Sequence, residues 1–147
     1  MATLTIDGIG AVELDRDGRV EGVGNPLHPS YTEVAELPVA LREEIARRVR
    51  IVRERMILPD NRPHSYLRGC IDGVDCTGRT IEELLAAYVV RAESVDYVDL
   101  PYTEAMRASI ILAGDYGHAN HLEANDYNGF DVVVDDSGKR FQFRKKG

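Results

Sequence analysis

Apolar and polar positions alternate near both ends of the chain and recur at helical spacing in between. Leu4 and Ile6 alternate with Thr3, Thr5 and Asp7, and Val12 and Leu14 alternate with Glu13 and Asp15. Gly8 and Gly10 separate these runs, and Arg16-Asp17-Gly18-Arg19 has the composition of a turn. The pattern predicts short strands over 3–23, with Val20 and Val23 in a third. Asn25-Pro26, His28-Pro29 and Leu37-Pro38 bias 24–38 away from helix, leaving a loop with at most one short helical turn near 32–36. Leu41, Ile45, Val49, Val52 and Met56 then recur at steps of four and three, which predicts a helix over 39–57 with one apolar stripe. Pro38 suits its first turn, and Leu58-Pro59-Asp60-Asn61 ends it. Its polar face offers Glu43–Arg47, Glu44–Arg48 and Arg50–Glu54 pairs, so a solvated face is preferred there over a basic binding surface.

Cys70 and Cys76 flank a bend expected at Asp72-Gly73, and a three-residue loop would set the cysteines opposite each other. A second pair of zinc ligands at matching spacing is missing, so both are expected to be reduced and structural. Thr80-Ile81-Glu82-Glu83 has the form of a capping box. It opens a helix to about Ala92, with Ile81, Leu84, Leu85 and Tyr88 facing one way. A strand is expected over 95–100. Pro101 and Thr103-Glu104 open a third helix with Met106, Ile110 and Ala113 inward and Gly114 as its stop. Phe130, Val132 and Val134 alternate with Asp131, Val133 and Asp135; the chain turns at Asp136-Ser137-Gly138 and returns through Phe141 and Phe143. The whole predicts one α+β domain over residues 1–147. Its N- and C-terminal hairpins would form an antiparallel sheet, with about three helices packed on one face.

Composition narrows the function classes. A chain of 147 residues with 44% hydrophobic and 29% charged positions is ordinary for a globular protein. No apolar run approaches the roughly 20 residues that span a bilayer, so no membrane partner is expected. The first residues carry neither a basic region nor a long apolar stretch, so no signal peptide is expected and a cytoplasmic setting is the default. Arg outnumbers Lys by 15 to 3, a bias of GC-rich codons that points to a bacterial or phage source. The formal net charge is −7. Segment 93–136 alone holds ten carboxylates against one basic residue, Arg107. That field opposes phosphate at long range, so nucleic acid is disfavoured as a partner, while encounter with a basic protein surface is favoured.

Within that acidic stretch, segment 114–129 is rich in Gly, Asn, Asp and His and poor in core residues. Asp115, Tyr116, His118, His121, Glu123, Asp126 and Tyr127 are therefore the expected ligand contacts, since a polar loop can bend to aim its side chains at one point. On a helix, Asp115, His118 and His121 would share one face, which would suit a divalent metal or acid–base work. The spacing is not that of a His-Glu-x-x-His metalloprotease, and no cofactor or metal is expected. Asp131 followed by Gln142-Phe143-Arg144 on the returning strand resembles the nuclease superfamily known as PD-(D/E)xK, in which an Asp and a Glu/Gln-x-Lys hold a metal and activate water. Arg144 stands where that superfamily has lysine, Gln142 is a poor metal ligand, and no catalytic role is carried over. The glycines of Asp7-Gly8-Ile9-Gly10 lack the third glycine of a dinucleotide loop, and no phosphate loop or nucleophile elbow occurs.

The leading expectation is a non-catalytic binding protein: an accessory, immunity or inhibitor protein, or a phage-encoded one. It would use its acidic surface and the 114–129 loop against a basic protein or a small polar ligand. The alternatives are a small metal-assisted hydrolase or nuclease built on Asp115, His118, His121 and Glu123, and a structural subunit of a symmetric homo-oligomer such as a phage virion.

Overall fold

The protein was studied as a computed structural model that describes residues 2–57, 63–93, 97–100, 130–135 and 140–145. Strands β1 (Ala2–Ile6), β2 (Gly10–Leu14), β3 (Val20–Val23) and β4 (Thr32–Glu33) form an antiparallel sheet in chain order. The alternation in the sequence sets its faces: Leu4 pairs with Val12, and both are buried with Ile6 and Leu14, while Thr3 and Thr5 face outward. The turn between β2 and β3 is held by Asp15, whose carboxylate accepts the backbone N–H groups of Asp17 (2.8 Å) and Arg19 (2.9 Å). Gly18 there has φ 83, and a Cβ would overlap the side chain of Ile51, so both conformation and packing require glycine. The expected helical turn in the proline-rich loop is a short 3-10 turn over Val34–Glu36.

The long helix expected over 39–57 is two elements. Helix α1 (Val39–Arg48) stops after ten residues, and strand β5 (Val49–Ile57) follows without an intervening loop. Leu41, Ile45, Val49 and Val52 satisfy a helical period, but three β-branched residues within Val49-Arg50-Ile51-Val52 lose rotamer freedom in a helix and pack well on a pleated surface. A long-range partner decides the matter: β6 (Pro63–Ile71) pairs with β5 at nine positions, from Val49 opposite Ile71 to Ile57 opposite Pro63. In consequence Val49 is buried while Val52 is 56% exposed. The expected ion pairs are also redrawn. Arg47 pairs with Glu44, Arg48 with Asp72, Arg53 with Asp17, and Glu54 lies 3.8 Å from Arg68.

Strand β7 (Val74–Gly78) returns from β6 through a two-residue turn, Asp72-Gly73, with φ values of 48 and 82. Both central residues lie in the left-handed region, as the tightest hairpins require. The turn is one residue shorter than the sequence reading had it, so Cys70 opposes Asp75 and Cys76 opposes Gly69. The cysteines are thus offset by one position onto opposite faces of the sheet, and both are free thiols. Arg48 grips the turn: its guanidinium donates to both Asp72 carboxylate oxygens (2.6 and 3.1 Å) and to the Asp7 carbonyl (2.7 Å).

Helix α2 (Ile81–Glu93) starts at the expected capping box. Thr80 Oγ1 accepts the N–H of Glu83 at 3.2 Å. The Glu83 carboxylate accepts the Arg79 backbone N–H (2.9 Å) and two guanidinium hydrogens (3.2 and 3.1 Å). Both side chains are buried. Ile81, Leu84, Leu85, Ala87 and Val90 of α2 share one core with Leu4, Ile6, Val12, Leu14, Val49, Leu67, Ile71 and Cys76. Each large aliphatic buried there is worth about 1.5–3 kcal/mol of transfer free energy.

Strands β8 (Tyr97–Leu100), β9 (Phe130–Asp135) and β10 (Arg140–Lys145) form a third antiparallel sheet, ordered β8-β10-β9. The C-terminal hairpin is therefore present, but it joins β8, and the N-terminal hairpin belongs to a different sheet. The expectation of one shared sheet is corrected: each hairpin found a nearer third strand in β3 and β8. The third helix expected after Pro101 lies outside the described residues. The described residues make an α+β fold with antiparallel sheets and two α-helices. No helix among them is long and apolar enough to cross a membrane.

Candidate functional site

Asp115, Tyr116, His118, His121, Glu123, Asp126 and Tyr127 all lie outside the described residues. Asp131 and Arg144 face each other in register across β9 and β10, and Gln142 opposes Val133 on one side and Asp99 on the other. Among the described residues no three His, Cys, Asp or Glu side chains converge as a metal site. What the described residues bring together is arginine, in two clefts that meet at β5.

The first cleft opens where α1 gives way to β5 and encloses about 510 Å³. Val34 from the 3-10 turn, Ile45 and Ala46 from α1, and Val49, Ile51 and Val52 from β5 supply an aliphatic lining. Gly18 and Arg19 come from the β2–β3 turn and Val20 from the start of β3, with Gly18 set against Ile51. Arg53 secures that turn from beneath, with Nε 2.8 Å from the Asp17 carboxylate and a second hydrogen bond to the Arg16 carbonyl at 3.1 Å. The Arg53 hydrogen bond holds the Asp17 carboxyl below its usual value of 3.8, against a smaller opposing effect of desolvation. Three arginines line the cleft: Arg19, Arg42 and Arg50. None of the three is in an ion pair among the described residues, whereas Arg47, Arg48, Arg53, Arg68 and Arg79 are. Arginine stays protonated at any physiological pH, so this lining attracts anions without titrating.

The second cleft, about 460 Å³, lies on the open face of the β5–β6–β7 sheet. Strand register builds it from two cross-strand rows, Arg50–Cys70–Asp75 and Val52–Arg68–Thr77. Arg91, on the last turn of α2, reaches over the sheet edge and donates to the Asp75 carbonyl at 2.6 Å. Tyr66 Oη donates to Glu54 at 2.6 Å beside this face. Cys70 is half-buried in the cleft. Cys76 is buried on the other face, and burial pushes its thiol up to about 12. Arg50 and Val52 line both clefts.

Sequence reasoning missed both clefts because it read 39–57 as one helix, which put Arg50 and Glu54 on the same turn as partners. The available signal was the run Val49-Arg50-Ile51-Val52-Arg53, which suits a strand as well as a helix. Arg68 and Arg91 come from elements far apart in sequence, and only pairing and packing bring them to Arg50.

The outer face of the first sheet has the opposite character. Glu13 is buried and accepts a hydrogen bond from Thr3, its cross-strand partner. Burial raises the Tyr31 phenol above its usual value, helped by the negative charges of Glu21, Glu13 and Glu33. Comparison of the chain with protein-family models, with curated proteins and with solved structures gave no match.

Proposed function

We propose that this protein is a non-catalytic binding protein whose first cleft takes a small molecule with an apolar body and an anionic head. The observation that carries the reading is that Arg19, Arg42 and Arg50, none in an ion pair among the described residues, line a largely aliphatic cleft. An apolar concavity with a few convergent polar groups is the usual form of a small-molecule site, and about 510 Å³ is within the usual range. Aliphatic groups and guanidiniums give affinity and orientation but no nucleophile and no group that exchanges protons near neutrality, which favours binding over chemistry. Segment 114–129 belongs to the same reading on sequence grounds alone, with Asp115, Tyr116, His118, His121, Glu123, Asp126 and Tyr127 as proposed contacts. A cytoplasmic setting is also proposed, supported by two free thiols, which suit a reducing compartment.

Calorimetric titration with decanoate, and with decanol as its uncharged counterpart, tests the reading. Decanoate should bind and decanol should bind at least about tenfold more weakly, a difference of roughly 1.4 kcal/mol. Arg42→Ala should weaken decanoate and leave decanol unchanged. Equal binding of the two probes, or equal binding by the Arg42→Ala variant, would overturn the anionic head.

A further inference from the structure

Four consecutive strand residues, Val49, Arg50, Ile51 and Val52, line the first cleft. Successive side chains of a strand point to opposite faces of its sheet, so a cleft lined by all four runs along the strand's edge. β5 is the outer strand of the β5–β6–β7 sheet, and β6 takes only one of its two edges. Two backbone hydrogen bonds set the phase of that pairing. The Asp72 N–H donates to the Arg48 carbonyl at 2.8 Å, so position 48 is turned toward β6. The Val49 N–H donates to the Ile45 carbonyl of α1, so position 49 is turned away from it. Backbone direction alternates along an antiparallel strand, and the β5–β6 register runs without a shift from Val49 to Ile57. Arg50, Val52 and Glu54 therefore exchange hydrogen bonds with β6, while the N–H and C=O groups of Ile51, Arg53 and Arg55 point out along the other edge. Among the described residues no strand pairs there. Such an edge is a template for one more strand. A second copy of β5 is disfavoured in that place. The strand carries Arg50, Arg53 and Arg55 against Glu54 alone, so two copies edge to edge would set like charges together. The same cations favour an incoming carboxylate.

We propose that the ligand of the first cleft is the C-terminus of an extended peptide, which adds a strand to the outer edge of β5. Its terminal carboxylate is drawn by Arg19, Arg42 and Arg50, and its last, aliphatic side chain takes the lining of Val34, Ile45 and Ala46. A cleft of about 510 Å³ admits the end of a chain and no folded partner. With its end beside Val49–Val52 and its body continuing toward Ile57, the peptide runs antiparallel to β5. Main-chain bonds to Ile51 and Arg53 give affinity that any extended sequence can make, and the cleft selects the apolar last residue with its free carboxylate. The apolar body and anionic head rest on the proposed function; the strand pairing is new.

Fluorescence anisotropy with the peptide Ser-Thr-Val-Thr-Leu, labelled with fluorescein at its N-terminus and free at its C-terminus, tests this on the intact protein. The peptide should bind, and its C-terminal amide should bind at least about tenfold more weakly. Decanoate should displace it competitively. N-methylation of the peptide, one residue at a time, should act with a period of two. Methyl groups on amides that face β5 should weaken binding at least about tenfold, and those between should change it less than about threefold. A uniform response, or none, would overturn the strand pairing, because a peptide held only by its last residue has no reason to alternate. Peptide binding that bound decanoate fails to displace would overturn the placement of its end in the first cleft. If decanoate binds and the peptide does not, this inference falls and the proposed function stands. If neither binds, both fall.

Discussion

Arg79 at the start of α2 and Arg50 on β5 have the same side chain in opposite circumstances. Arg79 is 6% exposed and meets a Glu83 side chain that is 0% exposed. Its charge has been taken out of water at a cost of several kcal/mol, and the carboxylate beside it offsets that cost. Arg50 stays exposed, makes no ion pair among the described residues, and is among the residues lining both clefts. The first arrangement is self-contained: its donors are spent inside the fold. The second leaves donors for something else. In a protein of net charge −7, the sign of the whole molecule says little about either place. Net charge acts across distances beyond the screening length of about 8 Å, while contact recognition is decided by the groups within a few ångströms.

The contrast can be broken most severely at its buried end. Glu83→Ala takes the carboxylate away from the buried Arg79 guanidinium, and should cost about 3–5 kcal/mol in urea denaturation. Glu83→Gln keeps the shape and should recover part of that loss. If Glu83→Ala folds as stably as the parent, Arg79 is not confined as described. Arg48→Ala comes next. It removes the fork on Asp72 and the bond to the Asp7 carbonyl in a partly exposed setting, so the loss should be measurable but smaller than for Glu83→Ala. Asp17→Asn sharpens the middle of the scale through pH. The Arg53 hydrogen bond depresses the folded-state Asp17 value below 3.8. Its contribution is therefore complete above the unfolded value and disappears as pH falls through the folded one. The gap between parent and variant urea midpoints should be open near neutral pH and should close as pH falls through the folded-state value. A gap that persists at the acid end would mean that Asp17 acts through packing instead.

Arg50→Ala should change stability by no more than about 0.5 kcal/mol, as for surface positions free of buried partners. Equal or greater loss than Arg48→Ala would assign Arg50 to the frame and remove it from the clefts. The smallest expected effect on stability is at His118→Ala and His121→Ala, each within about half a kcal/mol, with impaired ligand binding as the informative readout. Variants that bind decanoate as the parent does would exclude those histidines from recognition.

How much of this was legible in the sequence depends on how local the deciding interaction is. The β1–β2–β3 meander follows from period-two alternation and an Asp-Gly turn, all within a few residues. The start of α2 was written in Thr80 and Glu83, four positions wide. Segment 49–57 was misread because two periods fit it almost equally, and the tie is broken by β6, a partner that begins beyond residue 60. The hairpin at Asp72-Gly73 was located correctly but one residue too long, which moved Cys76 to the wrong face. The clefts were illegible for the same reason as β5: Arg19 comes from a turn and Arg50, Arg68 and Arg91 from three elements, and their placement is a product of tertiary pairing. The polar 114–129 segment was singled out by composition, and its residues lie outside those described here.

The junction of α1 and β5 carries a last consequence, for how this chain tolerates changes in length. Helix and strand meet at Arg48 and Val49 with no spacer, and the Val49 N–H still bonds back to Ile45 while its side chain already belongs to the sheet. One residue inserted at that joint would turn the helix by about 100° relative to the strand if β5 held its place. If α1 held instead, every side chain of β5 would change faces, sending Val49 into water and Arg50 into the aliphatic core. Loops normally absorb an added residue by bulging, but this joint has no loop to bulge. Insertions and deletions should therefore be borne readily at the exposed Asn25–His28 and refused between residues 48 and 49.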